Sequence, residues 1–176
     1  MIILIVILAL IAIPFIVAIF KPEEYTIERD IVINRPKSDV FNYVKLLKNQ
    51  DHYSKWVMMD PGMKKDFTGT DGTVGFIYAW DSENKQAGKG AQEIIKITGE
   101  DRADMEVRFE KPFKGVAYPS VVTEALSPTE TRVRWIFKGT CNYIMRVMHI
   151  VLNLKKVLGK DMQTSLVTLK GILEKQ

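Results

Sequence analysis

The longest apolar pattern in the chain lies at its C-terminal end, from Cys141 to Lys175. This stretch contains no proline and only two glycines, so it predicts one long helix with a bend at Gly159. At about 100° per residue, one stripe of that helix is apolar except for Lys155. The apolar members of the stripe are Ile144, Met148, Val151, Leu158, Met162, Leu166, Leu169 and Leu173. A helix with such a stripe needs a wide apolar surface to lie on, which constrains the rest of the fold.

The middle of the chain supplies that surface as a set of predicted β-strands. Apolar and polar residues alternate in short runs, which is typical of half-buried strands. One strand is predicted from Tyr25 to Ile33, two helices follow up to Trp56, and six strands follow from Met63. Pro119 predicts that its strand lies at an edge of the sheet or ends there. Short turns favour an antiparallel meander, so the sequence predicts an α+β helix-grip fold: a curved antiparallel sheet of about seven strands around the C-terminal helix.

The first twenty residues carry no charged side chain, whereas all 25 basic and 21 acidic residues lie beyond them. Twenty helical residues span about 30 Å, the thickness of a bilayer core. Residues 1–20 are therefore predicted to be a transmembrane anchor, followed by a linker at 21–24 and a folded domain at 25–176. A cleaved signal peptide is the alternative, but the segment lacks its positive start and small cleavage-site residues. The basic residues that follow favour a single-pass membrane protein whose domain faces the cytoplasm.

Charge and composition narrow the classes of partner. The net charge is +4, and no Lys/Arg cluster is interleaved with aromatic residues, so nucleic acid is not an expected partner. The two histidines, His52 and His149, lack further ligands at metal-binding spacing, so no metal and no cofactor is expected. Gly88-Lys89-Gly90 lacks the spacing of a phosphate-binding loop, and its glycines instead predict a bend in the sheet. His52 lies near Tyr53 and Trp56, and a role as a general base is an alternative to a structural one.

Five segments carry a resemblance to a known family: IERDIVINRPKSDVFNYV, HYSKWVMMDPGMKKDFTGTDGTVGFIYAW, GKGAQEI, TRVRWIF and GKDMQTSLVTLKGILEK. They resemble the START-like superfamily, and within it the polyketide cyclase/dehydrase-like group, also called SRPBCC. The resemblance covers residues 25–176. It implies a helix-grip domain in which relatives bind lipids, sterols, polyketides or other apolar molecules, in a cavity between the sheet and the last helix. Some relatives cyclise polyketides and others activate the ATPase of a heat-shock chaperone, and no catalytic residue is implied for this chain.

Such a cavity gives a second interpretation to the aromatic side chains, which otherwise simply fill the core. Rings on one sheet face, opposite methionines on the last helix, describe a deformable apolar pocket. Tyr78 and Tyr118 add hydroxyl groups that orient a polar group of a ligand. Lys155 either extends to the helix edge or points inward, where its ammonium binds an acidic head group. The predicted pocket residues are Trp56, Phe76, Tyr78, Trp80, Phe109, Tyr118, Trp135, Phe137, Met148, Lys155 and Met162.

The predicted function is therefore membrane-tethered binding of a hydrophobic small molecule or lipid. Two alternatives belong to other classes. An enzyme of the polyketide cyclase/dehydrase type requires a titratable group against the reacting carbon of its substrate. A module of the chaperone-activator type, which contacts a partner protein, requires an exposed apolar patch instead of a cavity.

Overall fold

The computed structural model describes residues 12–175, which form an antiparallel sheet and the helices that pack on it. The strands are β1 (Glu24–Ile33), β2 (Lys64–Thr68), β3 (Ile77–Asp81), β4 (Lys89–Thr98), β5 (Arg102–Lys111), β6 (Gly115–Ser127) and β7 (Glu130–Thr140). They form one sheet in the order β1-β7-β6-β5-β4-β3-β2, and every neighbouring pair is antiparallel. The predicted α+β fold, with a sheet of about seven strands, is confirmed.

The helices fall into two groups along the chain. Between β1 and β2 lie α1 (Lys37–Val44), a 3-10 turn (Leu47–Asn49), α2 (Gln50–Tyr53) and α3 (Lys55–Met58). After β7 come α4 (Tyr143–Val151) and α5 (Leu154–Leu173). Among the strands, α5 packs mainly against β1, and its buried apolar side chains are part of the core. Those side chains are Met162, Leu166, Leu169 and Leu173.

The predicted single helix is interrupted at Asn153, whereas Gly159, the predicted bend, lies inside the continuous helix α5. Asn153 has φ 48° and ψ 49°, in the left-handed region that asparagine enters more readily than most residues. One residue in this conformation breaks the helical hydrogen-bond pattern and shifts the phase of the apolar stripe. Ile144 and Val151, on the α4 side of the break, are 67% and 61% exposed. The stripe is therefore buried along α5 only.

Gly159 has a different structural role inside α5. A Cβ at this position would lie 2.2 Å from Nη2 of Arg29, a residue of β1. The missing side chain thus makes room for a guanidinium group between the strand and the helix. This contact also accounts for Arg29, which interrupts the apolar alternation of β1.

Pro119 lies inside β6, which is not an edge strand, so both predicted positions, an edge strand or a strand end, are wrong. The pairing of β5 with β6 holds Asp104 opposite Ser120 and resumes with Val107 opposite Ala117. The ladder is open between these pairs, where Pro119 has no N–H to donate. A proline is tolerated in a central strand here because its neighbour on that side is not hydrogen-bonded to it.

The N-terminal segment does not bear out the predicted membrane anchor. Residues 1–11 of the predicted span at 1–20 lie outside the described residues, and residues 12–19 are helical. Within residues 12–175, no helix is long and apolar enough to cross a membrane. On this finding, the predicted localisation as a single-pass membrane protein is wrong. Two of residues 12–20 contact the folded domain: Ala18 is fully buried, and Tyr143 Oη donates to the carbonyl of Phe15 at 2.9 Å.

Candidate functional site

A cavity of about 170 Å³ lies between the concave face of the sheet, the short helices α2 and α3, and α5. Aromatic and aliphatic side chains make up most of its walls. Its lining residues are Gln50, Ser54, Trp56, Val57, Met63, Tyr78, Trp80, Gln86, Ala87, Gln92, Val107, Phe109, Pro119, Trp135, Phe137 and Leu158.

The rings of the cavity are held in pairs that meet edge to face. Trp56, from the helical wall, packs against Trp135 of β7 with ring centroids 5.7 Å apart and planes at 76°. Trp80 of β3 packs in the same way on Phe109 of β5, at 6.2 Å and 80°. Aromatic pairs prefer this geometry because the edge of one ring is positive and the face of the other is negative. The pairs give the walls a defined shape.

Gly90 determines how Trp80 lies on the sheet. The two residues are opposite each other in the β3–β4 pair, and a Cβ on Gly90 would lie 2.8 Å from the indole ring. With no side chain there, the ring covers the strand, and its N–H donates to the carbonyl of Ala87 at 3.0 Å. The β4–β5 register also shifts between Lys89 and Gly90, which agrees with the predicted bend at these glycines.

Hydrogen bonds at both ends fix the helical wall. The Asp71 carboxylate accepts from the backbone N–H groups of Leu47 and Lys48, at 2.8 and 3.1 Å. At the other end, Ser165 Oγ of α5 accepts from the N–H of Lys55 at 2.9 Å, and the Lys55 ammonium pairs with Asp161. The wall that carries Ser54 and Trp56 is therefore tied directly to α5.

Among the lining residues, Tyr78 has the titratable side chain, and its hydroxyl proton already forms a hydrogen bond. Its hydroxyl donates to Asp51 Oδ1 at 2.7 Å, and Lys65 Nζ donates to Oδ2 of the same carboxylate at 2.8 Å. Burial, the hydrogen bond to Asp51 and the charge of Asp51 raise the pKa of Tyr78 well above its ordinary value. The phenol therefore stays protonated at neutral pH and points its proton at Asp51.

The structure brings together part of the predicted pocket. The residues that line the cavity are Trp56, Tyr78, Trp80, Phe109, Trp135 and Phe137. Phe76 and Met162 are fully buried in the surrounding core, whereas Tyr118 is exposed on the opposite face of its strand. Met148 is on α4, which does not contribute to the cavity lining.

The sequence prediction missed the polar lining residues Gln50, Ser54, Gln86 and Gln92. A signal for Gln92 exists in the alternation of β4, where it shares its parity with the buried residues Gly90 and Ile94. No such signal exists for Ser54, because it lies between two helices of one turn each.

Lys155 lies in a second cleft, of about 480 Å³, between α4 and the start of β1. It is exposed, which is the helix-edge alternative of the sequence prediction. Three further basic residues line this cleft: Lys21, Arg146 and His149. The His149 ring packs on Tyr25 at 4.6 Å, and burial, followed by the charge of Lys155, lowers the pKa of His149. The charged cleft and the aromatic cavity are separate sites, because they share no lining residue among those described.

No family model and no curated protein matches the sequence. Solved structures do match. A truncated norcoclaurine synthase from Thalictrum flavum has a TM-score of 0.67 at 11% identity, over 87% of this chain and 95% of its own. The Aha1 dimer from Colwellia psychrerythraea has a TM-score of 0.59 at 13% identity, over 85% of this chain and 96% of its own. Ara h 8.0201 has a TM-score of 0.52 at 11% identity, over 87% of this chain and 99% of its own.

These similarities show the fold. The chain has the START-like fold. That is the fold the sequence resemblance implies, with its sheet closed over the last helix. At such low identity, the likeness does not extend to an activity.

Proposed function

We propose that this domain binds a small hydrophobic molecule in the cavity between the sheet and α5. The observation that carries the proposal is an unfilled space of about 170 Å³ walled by large rings. Protein interiors are close-packed, and voids larger than a water molecule are few. An apolar cavity of about 150 Å³ is enough to bind benzene. A space of this size among paired rings is therefore suited to an apolar ligand.

The volume favours a ligand of about one ring. Pockets for drug-sized molecules enclose roughly 300–1,000 Å³. The cavity is smaller than these, so a lipid would have to extend beyond it. Structures of the same fold support small ligands: a norcoclaurine synthase structure, 12% identical with a TM-score of 0.63, is in complex with dopamine and hydroxybenzaldehyde.

Binding is favoured over catalysis by the chemistry of the lining. A cyclase or dehydrase needs an acid or a base next to the reacting atoms. Tyr78 is the titratable side chain among the lining residues, and its proton is committed to Asp51. The raised pKa of Tyr78 also makes it a weak acid at neutral pH.

The alternative of a partner-protein module rests on a different surface. Three large apolar side chains, Ile144, Val151 and Leu152, are exposed along and just after α4. Exposed apolar patches mark contact surfaces when they are contiguous and large. The cavity is the stronger candidate because its rings are oriented around a space that a small molecule can fill, and nothing in the described residues shows what would cover α4.

Filling the cavity tests the proposal. Toluene is titrated into the full chain and binding is followed by ligand-observed NMR. Leu158 lines the cavity, so Leu158→Trp should occupy the space and weaken binding at least about tenfold. Val157, the preceding residue of α5, is 48% exposed, and Val157→Trp is the matched control that should leave the affinity within about twofold.

A second control uses the other cleft. Lys155→Met should also leave toluene binding within about twofold, because Lys155 does not line the aromatic cavity. The proposal fails if toluene does not bind the wild type, or if Leu158→Trp and Val157→Trp bind it equally.

A further inference from the structure

The apolar cavity contains a polar side chain that the protein itself does not satisfy. Gln92 is only 8% exposed and lines the cavity. Its β-sheet register places it opposite Tyr78 on one side and Val107 on the other, and both of these residues also line the cavity. Within residues 12–175, no hydrogen bond engages its carboxamide, although this group offers two donors and an acceptor oxygen.

A second polar group lies on the opposite wall. Ser54 is 1% exposed, lines the cavity and precedes α3. A serine before a helix normally accepts a hydrogen bond from a backbone N–H of the first turn. Ser54 makes no such bond, and its hydroxyl has no other partner among the residues that the structure describes.

A third unpaired group is buried within the wall itself, where a molecule in the cavity does not reach it. The indole N–H of Trp135 is buried and lacks a hydrogen-bond partner in the described part of the chain, and the Trp135 ring lines the cavity. Buried polar groups in native proteins are nearly always paired, with protein atoms, water or a ligand. The unpaired groups of Gln92 and Ser54, which both line the cavity, therefore point to hydrogen-bonding atoms inside it.

The lining also lacks charge. Among its described residues there is no Asp, Glu, Lys, Arg or His. A carboxylate or an ammonium ion placed in such a cavity loses its hydration without gaining a charged partner. An uncharged group does not meet this obstacle, because the carboxamide of Gln92 and the hydroxyl of Ser54 offer it neutral hydrogen bonds.

We infer that the cavity selects an uncharged, ring-sized molecule that carries a hydroxyl or carbonyl group, which hydrogen-bonds to Gln92 and Ser54. This inference rests on the proposed function and adds the class of ligand. Gln92 reaches the ligand from the sheet and Ser54 from the helical wall, so both walls contribute to specificity. Ordered water is the other means of satisfying these groups, and the experiment separates the two.

The experiment compares four ligands that share one ring: toluene, benzyl alcohol, benzoate and benzylammonium. Their affinities for the full chain are measured by tryptophan fluorescence, since all three tryptophans, Trp56, Trp80 and Trp135, line the cavity. For the wild type, benzyl alcohol should bind at least as tightly as toluene, although it is the better hydrated of the two. Benzoate and benzylammonium should bind at least about tenfold more weakly than benzyl alcohol.

Variants assign the preference to residues. Gln92→Leu should weaken the binding of benzyl alcohol by about tenfold relative to that of toluene, because it removes a hydrogen bond that only benzyl alcohol makes. The ratio of the two affinities is used because a change in cavity shape affects both ligands. Ser54→Ala is the milder second variant and should shift the same ratio in the same direction. Gln163→Leu makes the same chemical change as Gln92→Leu, but on α5 outside the cavity, and should leave the ratio unchanged.

The outcomes are distinguishable. If toluene and benzyl alcohol both fail to bind, the proposed function itself is wrong. If toluene binds but Gln92→Leu and Ser54→Ala leave the ratio unchanged, the cavity is a binding site whose polar groups serve water only, and the inference is overturned. Binding of benzoate as tightly as benzyl alcohol would also overturn it.

Discussion

The two helices at the C-terminal end, α4 and α5, continue one apolar stripe in the sequence but meet different surroundings. α4 is the richer in apolar side chains, yet Val147 is its only buried residue. α5 carries several lysines and threonines and still buries the whole of its inner face. The difference arises because α5 lies on the sheet, whereas the interruption at Asn153 turns α4 away from it. Apolarity alone does not determine burial; the surface that the helix lies on does.

The largest effect is expected from removing matched side chains on the two helices. Leu166 of α5 is 1% exposed, so Leu166→Ala leaves a cavity in the core and should lower the free energy of unfolding by about 2–5 kcal/mol. Ile144 of α4 is 67% exposed, and Ile144→Ala should change the free energy of unfolding by no more than about 0.5 kcal/mol. Urea unfolding of both variants measures the difference. Equal losses would show that α4 is packed as tightly as α5.

An intermediate effect is expected at the junction of the helices. A β-branched residue resists the left-handed conformation of Asn153, so Asn153→Val should cost about 1–2 kcal/mol of stability. Asn153→Gly adopts this conformation without strain and loses no cap, because the Asn153 side chain makes no capping bond. Thermal unfolding should rank glycine close to the wild type and valine well below it. The opposite ranking would mean that the two helices form one continuous helix in solution.

The smallest effect is a pH dependence on the α4 side. Burial and Lys155 lower the pKa of His149 in the folded state, while the unfolded chain takes up a proton near the ordinary value of about 6.5. Below that pH the unfolded state binds more protons, so this contribution to stability is complete above about pH 6.5 and declines as the pH falls toward the folded-state pKa. The free energies of unfolding of the wild type and of His149→Gln at pH 7.5 and 5.5 measure this contribution. The loss on acidification should be smaller in the variant, and identical losses would contradict the shift.

The strands were largely predictable because their signal is local. In β7, Val133, Trp135 and Phe137 alternate with Arg132, Arg134, Ile136 and Lys138, and all three are buried. The pattern was less reliable where a single residue ends an element. Val74 has the parity of Tyr78, but it is 60% exposed, because Gly75 takes φ 88° and β3 begins only at Ile77.

The features that were not predictable depend on residues far apart in the chain. Gly159 looked like a bend, but its small size serves Arg29, which lies 130 positions earlier. The direction of Lys155 depends on the break at Asn153, and neither glycine nor proline marks that position. The cavity depends on both local pattern and long-range packing. Alternation in the sequence places its rings on one face of the sheet. Only the packed structure shows the space between the rings and the unpaired groups of Gln92 and Ser54.

The open ladder opposite Pro119 has a mechanical consequence. Within the one seven-stranded sheet, the β5–β6 pairing at this seam consists of two short segments in the same register, one on either side of the open positions. Pro119 itself lines the cavity, so the seam is part of the cavity wall. A molecule in the cavity therefore meets, at Pro119, a stretch of wall that the β5–β6 ladder does not brace.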